Sequence, residues 1–320
     1  MKVIKIREFG GPEVMKIEEV ARPVPQADEI LVKMYASGVN PADYIVRQGG
    51  NEILKPFLKL PLGLGLDGAG EIEEIGSDVT NFKKGDKVYG IPNFLGGTYA
   101  EFIAAKATQF AIMPNNTNFN EAGAIPSCAL MAWNGMDLGH VDAGQRVLIH
   151  GAAGGIGSLA LQFAKSKGAY IIGTASGQNF DFLKQLGADE VMDYKDETFA
   201  GLRQNIDVVF DASPVQNENA KMMMAGALKG GGRFVSVQIA YPFSEEFLRI
   251  LAKKHAEAKM IRRELDVAQS LADIAKLIES GKVRVIISKV YPLEKAAEAH
   301  VELETKHVRG KIVLEIRKEK

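Results

Sequence analysis

"RVLIHGAAGGIGSLALQFAKSKG", residues 146–168, decides the fold. An apolar run ends at His150, and four glycines and two alanines then fall within the eight residues 150–157. A helix-period segment follows. Leu159 and Phe163 lie four apart, as do Ala160 and Ala164, while Ser158, Gln162 and Lys165 are expected on the opposite, outward face. Gly168 stands where a left-handed helix cap belongs. This is a strand, a glycine turn and a helix, and "YIIGTAS" (170–176) supplies a second strand.

A strand that opens into a helix through glycines makes an anion site. The helix start carries unpaired N–H groups and partial positive charge. A diphosphate can approach only where side chains are missing. Gly151, Gly154 and Gly157 keep a three-residue spacing, and Gly155 removes one more Cβ; with Ala153 and Ile156 they form the candidate dinucleotide cradle. An NAD site wants a carboxylate at the end of the second strand, for the ribose 2′-hydroxyl. Here that end reads "GTASGQNF", with Ser176 and no acid before Asp181. The small hydroxyl leaves room for a 2′-phosphate, so NADPH is expected over NADH. No basic residue follows directly, the nearest being Lys184. Ser176 could instead cap the next helix.

Working outward, the chain has two textures. From Met1 to about Asn120 it is β-like: "DEILVKMYASGVN", "AGEIEEIGSDV", "FKKGDKVYG" and "GGTYAEFIAA" are short runs divided by turn residues. From about Glu121 to Leu265, strands alternate with helical segments through "EVMDY", "DVVFDAS", "ENAKMMMAGALKG" and "RFVSV". That alternation predicts a doubly wound parallel α/β sheet. One more amphipathic helix, "VAQSLADIAKLIESG", leads back to strand-like "VRVIIS" and "KIVLEI". The expected organisation is a mostly-β domain of residues 1–120 plus 266–320, with an α/β domain of residues 121–265 inserted.

Composition narrows the function. The 39 Lys and Arg nearly balance the 40 Asp and Glu, leaving no field to draw nucleic acid or an anionic membrane. The one cysteine, Cys128, excludes a disulfide framework and a Cys-rich metal site. No secretory signal or membrane-length apolar run is visible, so a cytoplasmic location is expected.

The ordered set "DEILVKMYASGVNPADY", "GLDGAGEIEEIGSDVTNFKKGDKVYG", "GGTYAEF", "GQRVLIHGAAGGIGSLALQFAK", "LGAD", "DVVFDAS", "GGRFVSV" and "RGKIVLEI" spans nearly the whole chain. It resembles the zinc-independent quinone oxidoreductase branch of the medium-chain dehydrogenase/reductase superfamily. The resemblance implies a GroES-like β domain interrupted by a Rossmann domain, an active site in the cleft between them, and often a homodimer. It further implies NADPH-dependent reduction of small-molecule quinones or α,β-unsaturated carbonyls. It places Tyr194 and Ser176 near the 2′-phosphate, and Asp211, Ser213, Val237 and Gln238 beside the cofactor. Zinc-containing relatives put ligands where this chain has Asn40 and Leu66, and a third in the region of Cys128, so no metal is expected. Two further departures are Met131, where relatives commonly read Thr, and Asn179, a position often basic.

Without a metal, the protein must position the reactants and aim a donor at the oxygen that gains charge. In "GVNPADY" the candidates are Asn40, through its amide N–H groups, and Tyr44, through its hydroxyl. Asp43 would anchor the loop, and Pro41 would stiffen it. Composition alone reads "NPAD" as a strand-ending turn; the family resemblance turns the reading toward catalysis. Ile53, Leu54 and Phe57 could line an apolar pocket, act as a lid or simply pack. Two alternatives stand beside the reductase: a non-catalytic NADPH-binding module, and an alcohol dehydrogenase, which would need zinc.

Overall fold

The computed structural model describes residues 1–93, 97–195, 205–215, 217–238, 242–261 and 266–319. The chain forms two compact units, Met1–Leu130 with Asp266–Gly281 and Val285–Lys320, and Met131–Leu265 with Lys282–Arg284.

The first unit is built on strands. They are β1 (Lys2–Ile6), β2 (Lys16–Glu19), β3 (Glu29–Val39), β4 (Leu62–Gly63), β5 (Gly68–Ile75), β6 (Lys87–Gly90), β7 (Phe102–Lys106), β8 (Phe110–Ile112), β15 (Ile287–Pro292) and β16 (Lys311–Glu315). The main sheet runs β15-β16-β3-β5-β6-β8, with β7 also on β3, and a small sheet runs β2-β1-β4. All pairings are antiparallel except β15 with β16. Alternate residues of β3, namely Ile30, Val32 and Met34, enter one core with Ile72, Val88 and Phe110. A second core holds Ile6, Val39, Tyr99, Ile312 and Leu314. Because β16 pairs with β3 in the register Ile312↔Val39, the C-terminal strand is laid beside the segment that leads into α1 (Pro41–Arg47). The short helix α2 (Phe119–Ala124) lies on β3, which groups residues 121–130 with this unit. Helices α8 (Val267–Glu279) and α9 (Ala296–Glu304) also belong to it.

The second unit is the doubly wound sheet. Its strands are β9 (Arg146–His150), β10 (Tyr170–Ala175), β11 (Glu190–Asp193), β12 (Ile206–Asp211), β13 (Leu228–Ser236) and β14 (Glu257–Met260). They are parallel throughout, in the order β11-β10-β9-β12-β13-β14. Its helices are the Met131–Leu138 part of α3 (Pro126–Leu138), then α4 (Gly155–Ser166), α5 (Phe180–Gln185), α6 (Glu218–Ala227) and α7 (Glu245–Lys253). The chain leaves β9 toward β10 on one side and returns to β12 on the other. That reversal is a topological switch point, where open α/β sheets bind ligands at the strands' carboxyl ends.

The predicted caps and core faces mostly hold. Gly168 sits at φ +86°, and Leu159, Ala160, Phe163 and Ala164 are buried. The outward face assigned to α4 needs correction, because Ser158 and Gln162 are buried as well. For Gln162 the cause is the segment 282–284. Gln162 Nε2 donates to Arg284 O at 3.1 Å, and Arg284 N donates to Gln162 Oε1 at 2.9 Å. A buried amide is tolerated here because both ends of it are paired.

Candidate active site

The α/β unit gathers its candidate residues at strand carboxyl ends. His150 closes β9, with Nδ1 2.8 Å from Thr174 Oγ1 on β10. Burial lowers its pKa to about 4, so the ring is neutral. The chain then turns through Gly151 at φ +75°, a conformation that favours glycine. A Cβ on Gly157 would stand 2.2 Å from Gly151 O, so the helix start and the turn touch backbone to backbone. Gly154 differs. Its backbone is extended (φ −75°, ψ 177°), and a Cβ there would meet only Gly151 O, at 3.6 Å. Its absent side chain therefore leaves open space in front of α4. No side chain caps this helix. The first-turn N–H groups of Gly155, Ile156 and Gly157 have no intrahelical acceptor. Ala153 is half-buried in the same turn. These features fit a dinucleotide diphosphate: bare amides, a helix start and room.

The neighbouring strand ends form a wall. Cα and N of Ser213 lie 3.0 Å from where a Cβ on Gly151 would be. Asp211 is buried; its Oδ1 accepts from Ser213 N at 3.2 Å, and burial pushes its carboxyl up to about 6. Val237 N donates to Asp211 O at 3.1 Å, and Gln238 Nε2 donates to Ser213 O at 2.7 Å. Beyond β10, Ser176 Oγ accepts from Asn179 Nδ2 at 3.1 Å and makes no cap bond to the following turn. Tyr194 N donates to Ala175 O at 3.3 Å, and its side chain is exposed. The structure thus brings Gly151, Asp211, Ser213, Val237 and Gln238 together, and sets Ser176 near Tyr194.

The β unit contains a buried polar cluster that sequence reasoning only partly anticipated. Lys311, the first residue of β16, buries its ammonium, which donates to Val39 O at 3.1 Å, to Asn40 Oδ1 at 2.5 Å and to Asp67 Oδ2 at 3.3 Å. Burial alone would lower the Lys311 pKa; neighbouring Cys128, Asp67 and Asp43 outweigh it, and the net shift is upward. The Cys128 thiol is itself pushed up by burial, so the anion that holds the ammonium is Asp67. Ser127 Oγ lies 2.9 Å from Asn40 Oδ1 and 2.8 Å from Asp67 Oδ2, and Ser127 N donates to Asp67 Oδ1 at 2.7 Å. Removing one partner of such a pair strands the other, at a typical cost of about 3–5 kcal/mol.

This cluster changes the role available to Asn40. Its amide hydrogens were expected to face a reactant. Instead Nδ2 donates to Asp67 Oδ2 at 2.9 Å and, more weakly, toward Gly38 O at 3.4 Å. Asn40 therefore holds the entry to α1, one helical turn before Tyr44. Asp43 is buried and accepts from Asn40 N at 2.7 Å and from the Tyr99 hydroxyl at 3.0 Å. The chain of contacts continues through His300 Nε2 and Nδ1 to Arg47, and from Arg47 Nη2 to Glu304 Oε1 at 2.8 Å. Burial, with Arg47 beside it, lowers His300 to about 3. A neutral ring accepts from the guanidinium at Nδ1 and donates from Nε2 to the Tyr99 oxygen. Tyr44 is half-buried on α1. Of the three apolar loop residues, Leu54 packs on the core, while Ile53 and Phe57 are exposed.

The cluster does not fit a zinc ion. Leu66 offers no donor, Cys128 is held as the thiol, and the Lys311 ammonium already lies against Asn40 and Asp67. Among the described residues no group of three or more His, Cys, Asp and Glu side chains is arranged to hold a metal. Sequence reasoning missed Lys311, Asp67, Ser127, Arg47, Tyr99 and His300. The available signals were a lysine opening the apolar strand "KIVLEI" and an acid inside "GLDGAG".

Two tests follow from this geometry. Gly154→Val adds a side chain whose Cβ meets only Gly151 O, at the ordinary contact distance of 3.6 Å, on backbone that valine adopts freely. The variant should unfold at the wild-type temperature yet bind NADPH at least about tenfold more weakly, read by a fluorescence titration. Unchanged affinity would move the phosphate elsewhere. The second concerns Asp43, whose carboxyl burial raises from 3.8 to about 7. The raised value favours the protonated form in the fold. Its contribution is complete below pH 3.8 and is lost as pH rises through about 7. Urea unfolding should show wild type losing on the order of 2 kcal/mol relative to Asp43→Asn between about pH 5 and about pH 8. Parallel pH profiles would contradict this.

The alcohol dehydrogenase GroES-like domain family matches residues 26–115, and the zinc-binding dehydrogenase family matches residues 186–314. The quinone oxidoreductase of Sus scrofa is 33% identical, over 98% of this chain and 97% of its own length. The solved quinone oxidoreductase of Coxiella burnetii is 35% identical, with a TM-score of 0.89 over 99% of both chains. That of Escherichia coli, solved in complex with NADPH, is 29% identical, with a TM-score of 0.84 over 98% of this chain and 99% of its own. Two families of one superfamily match in tandem, and the likeness to quinone oxidoreductases runs from end to end. The chain belongs to the medium-chain dehydrogenase/reductase superfamily and is an oxidoreductase homologous to its quinone oxidoreductases.

Proposed function

We propose that this chain is a metal-independent, NADPH-dependent reductase of quinones or α,β-unsaturated carbonyl compounds. The observation that carries the reading is the uncapped start of α4, with open space at Gly154. When bound, the nicotinamide supplies hydride to an electrophilic carbon. The two substrate classes share that demand, since a quinone carbonyl is conjugated to C=C as an enone is.

The chain's own residues bind and orient. The N–H groups of Gly155, Ile156 and Gly157 hold the diphosphate. Ser176 and Tyr194 hold the ribose end, and Asp211, Ser213, Val237 and Gln238 form the wall beside the cofactor. Tyr44 donates its hydroxyl to the oxygen that gains charge; losing such a donor typically costs roughly 100- to 1,000-fold in rate. Asn40 and Asp43 are positioning residues, which fix the start of α1 through Lys311, Asp67 and Tyr99. The names of the relatives support the quinone class.

Purified protein should oxidise NADPH when given a panel of quinones and enones, followed by loss of the dihydronicotinamide absorbance. Asn40→Ala should lower turnover more than it lowers NADPH affinity. Tight NADPH binding with no turnover against any acceptor would replace the reductase with a non-catalytic dinucleotide-binding module.

A further inference from the structure

The end of β10 carries no acid of its own, but the fold delivers one to it. Ala175, the last residue of β10, pairs in parallel register with Asp193, the last residue of β11. Asp193 Oδ2 stands 3.7 Å from where a Cβ on Gly177 would be, so the carboxylate reaches the turn that begins at Ser176. Its Oδ1 accepts from Lys195 N at 2.9 Å, which fixes the carboxylate at the strand end. Among the described residues no lysine or arginine forms an ion pair with Asp193. The side chain bonded to Ser176 is the neutral amide of Asn179.

We infer that Asp193 is a specificity-determining residue for the dinucleotide: its carboxylate shares the ribose 2′ subsite with Ser176, accepting from a 2′-hydroxyl and opposing a 2′-phosphate. The inference rests on the proposed dinucleotide reading and sets a limit on the NADPH preference within it. A carboxylate beside the second strand's end is the chemistry that recognises a free 2′-hydroxyl. Against a doubly charged phosphate the same group is a like charge at close range. Ser176 and Tyr194 accommodate the phosphate, and Asp193 holds the margin over NADH small.

The test is a pair of fluorescence titrations, NADPH and NADH, on wild type and on Asp193→Asn. Asparagine keeps an oxygen for the Lys195 N–H and removes only the charge, so the melting temperature should not change. Wild type should bind both dinucleotides. The variant should bind NADPH about tenfold more tightly and NADH no more tightly, and the gain should shrink as salt is raised. An unchanged affinity ratio with both dinucleotides bound overturns the role of Asp193 and leaves the dinucleotide reading standing. If wild type binds neither, both readings fall.

Discussion

The proposed function depends on the first backbone amides of α4, which no side-chain cap or backbone bond satisfies among the described residues. The first N–H groups of α4 point out of a helix start that carries no side-chain cap. Leaving them so is costly unless water or a ligand pairs with them. The surroundings keep them accessible. Gly157 lets the helix touch the turn, Gly151 takes a left-handed conformation, and Gly154 keeps the approach clear. The turn lies at the one place in the sheet order where successive strands part to opposite sides of β9. An anion there meets donors that cost nothing to reorganise.

The β unit solves a different problem, that of holding the short segment at the start of α1 through a buried polar cluster. It buries an ammonium, two carboxyl groups, a guanidinium and a neutral imidazole in one connected set. Burying so much charge is unfavourable in itself. The pairing is close to complete, however. All three Lys311 donors have acceptors, and Asn40 uses both ends of its amide. Such a cluster fixes the α1 entry in one arrangement, because any slip leaves several groups unpaired at once.

How much of this the sequence disclosed follows from what is local and what is not. The strand, glycine turn and helix at 146–168 were legible because each signal lies within a few residues of the next. So was the return of "KIVLEI" to the β texture, which β16 fulfils by pairing with β3. Gln162 misled, because a polar residue at an outward helical position gives no sign that the segment 282–284 will cover it. Lys311 is 271 residues from Asn40, and no periodicity announces their contact. Asp193 escaped for the same reason. The second strand ends without an acid of its own, and the neighbouring strand supplies one through register. Residues that act through pairing between strands, or through burial by distant segments, are invisible until the fold is in hand.

The proposed function turns on where the diphosphate rests. A crystal structure grown with saturating NADPH tests that most directly. It should show the diphosphate oxygens within hydrogen-bond distance of the amides at residues 155–157, with the ribose end beside Ser176. Dinucleotide bound elsewhere in the chain, or the same amides paired with a protein side chain at full occupancy, would contradict it.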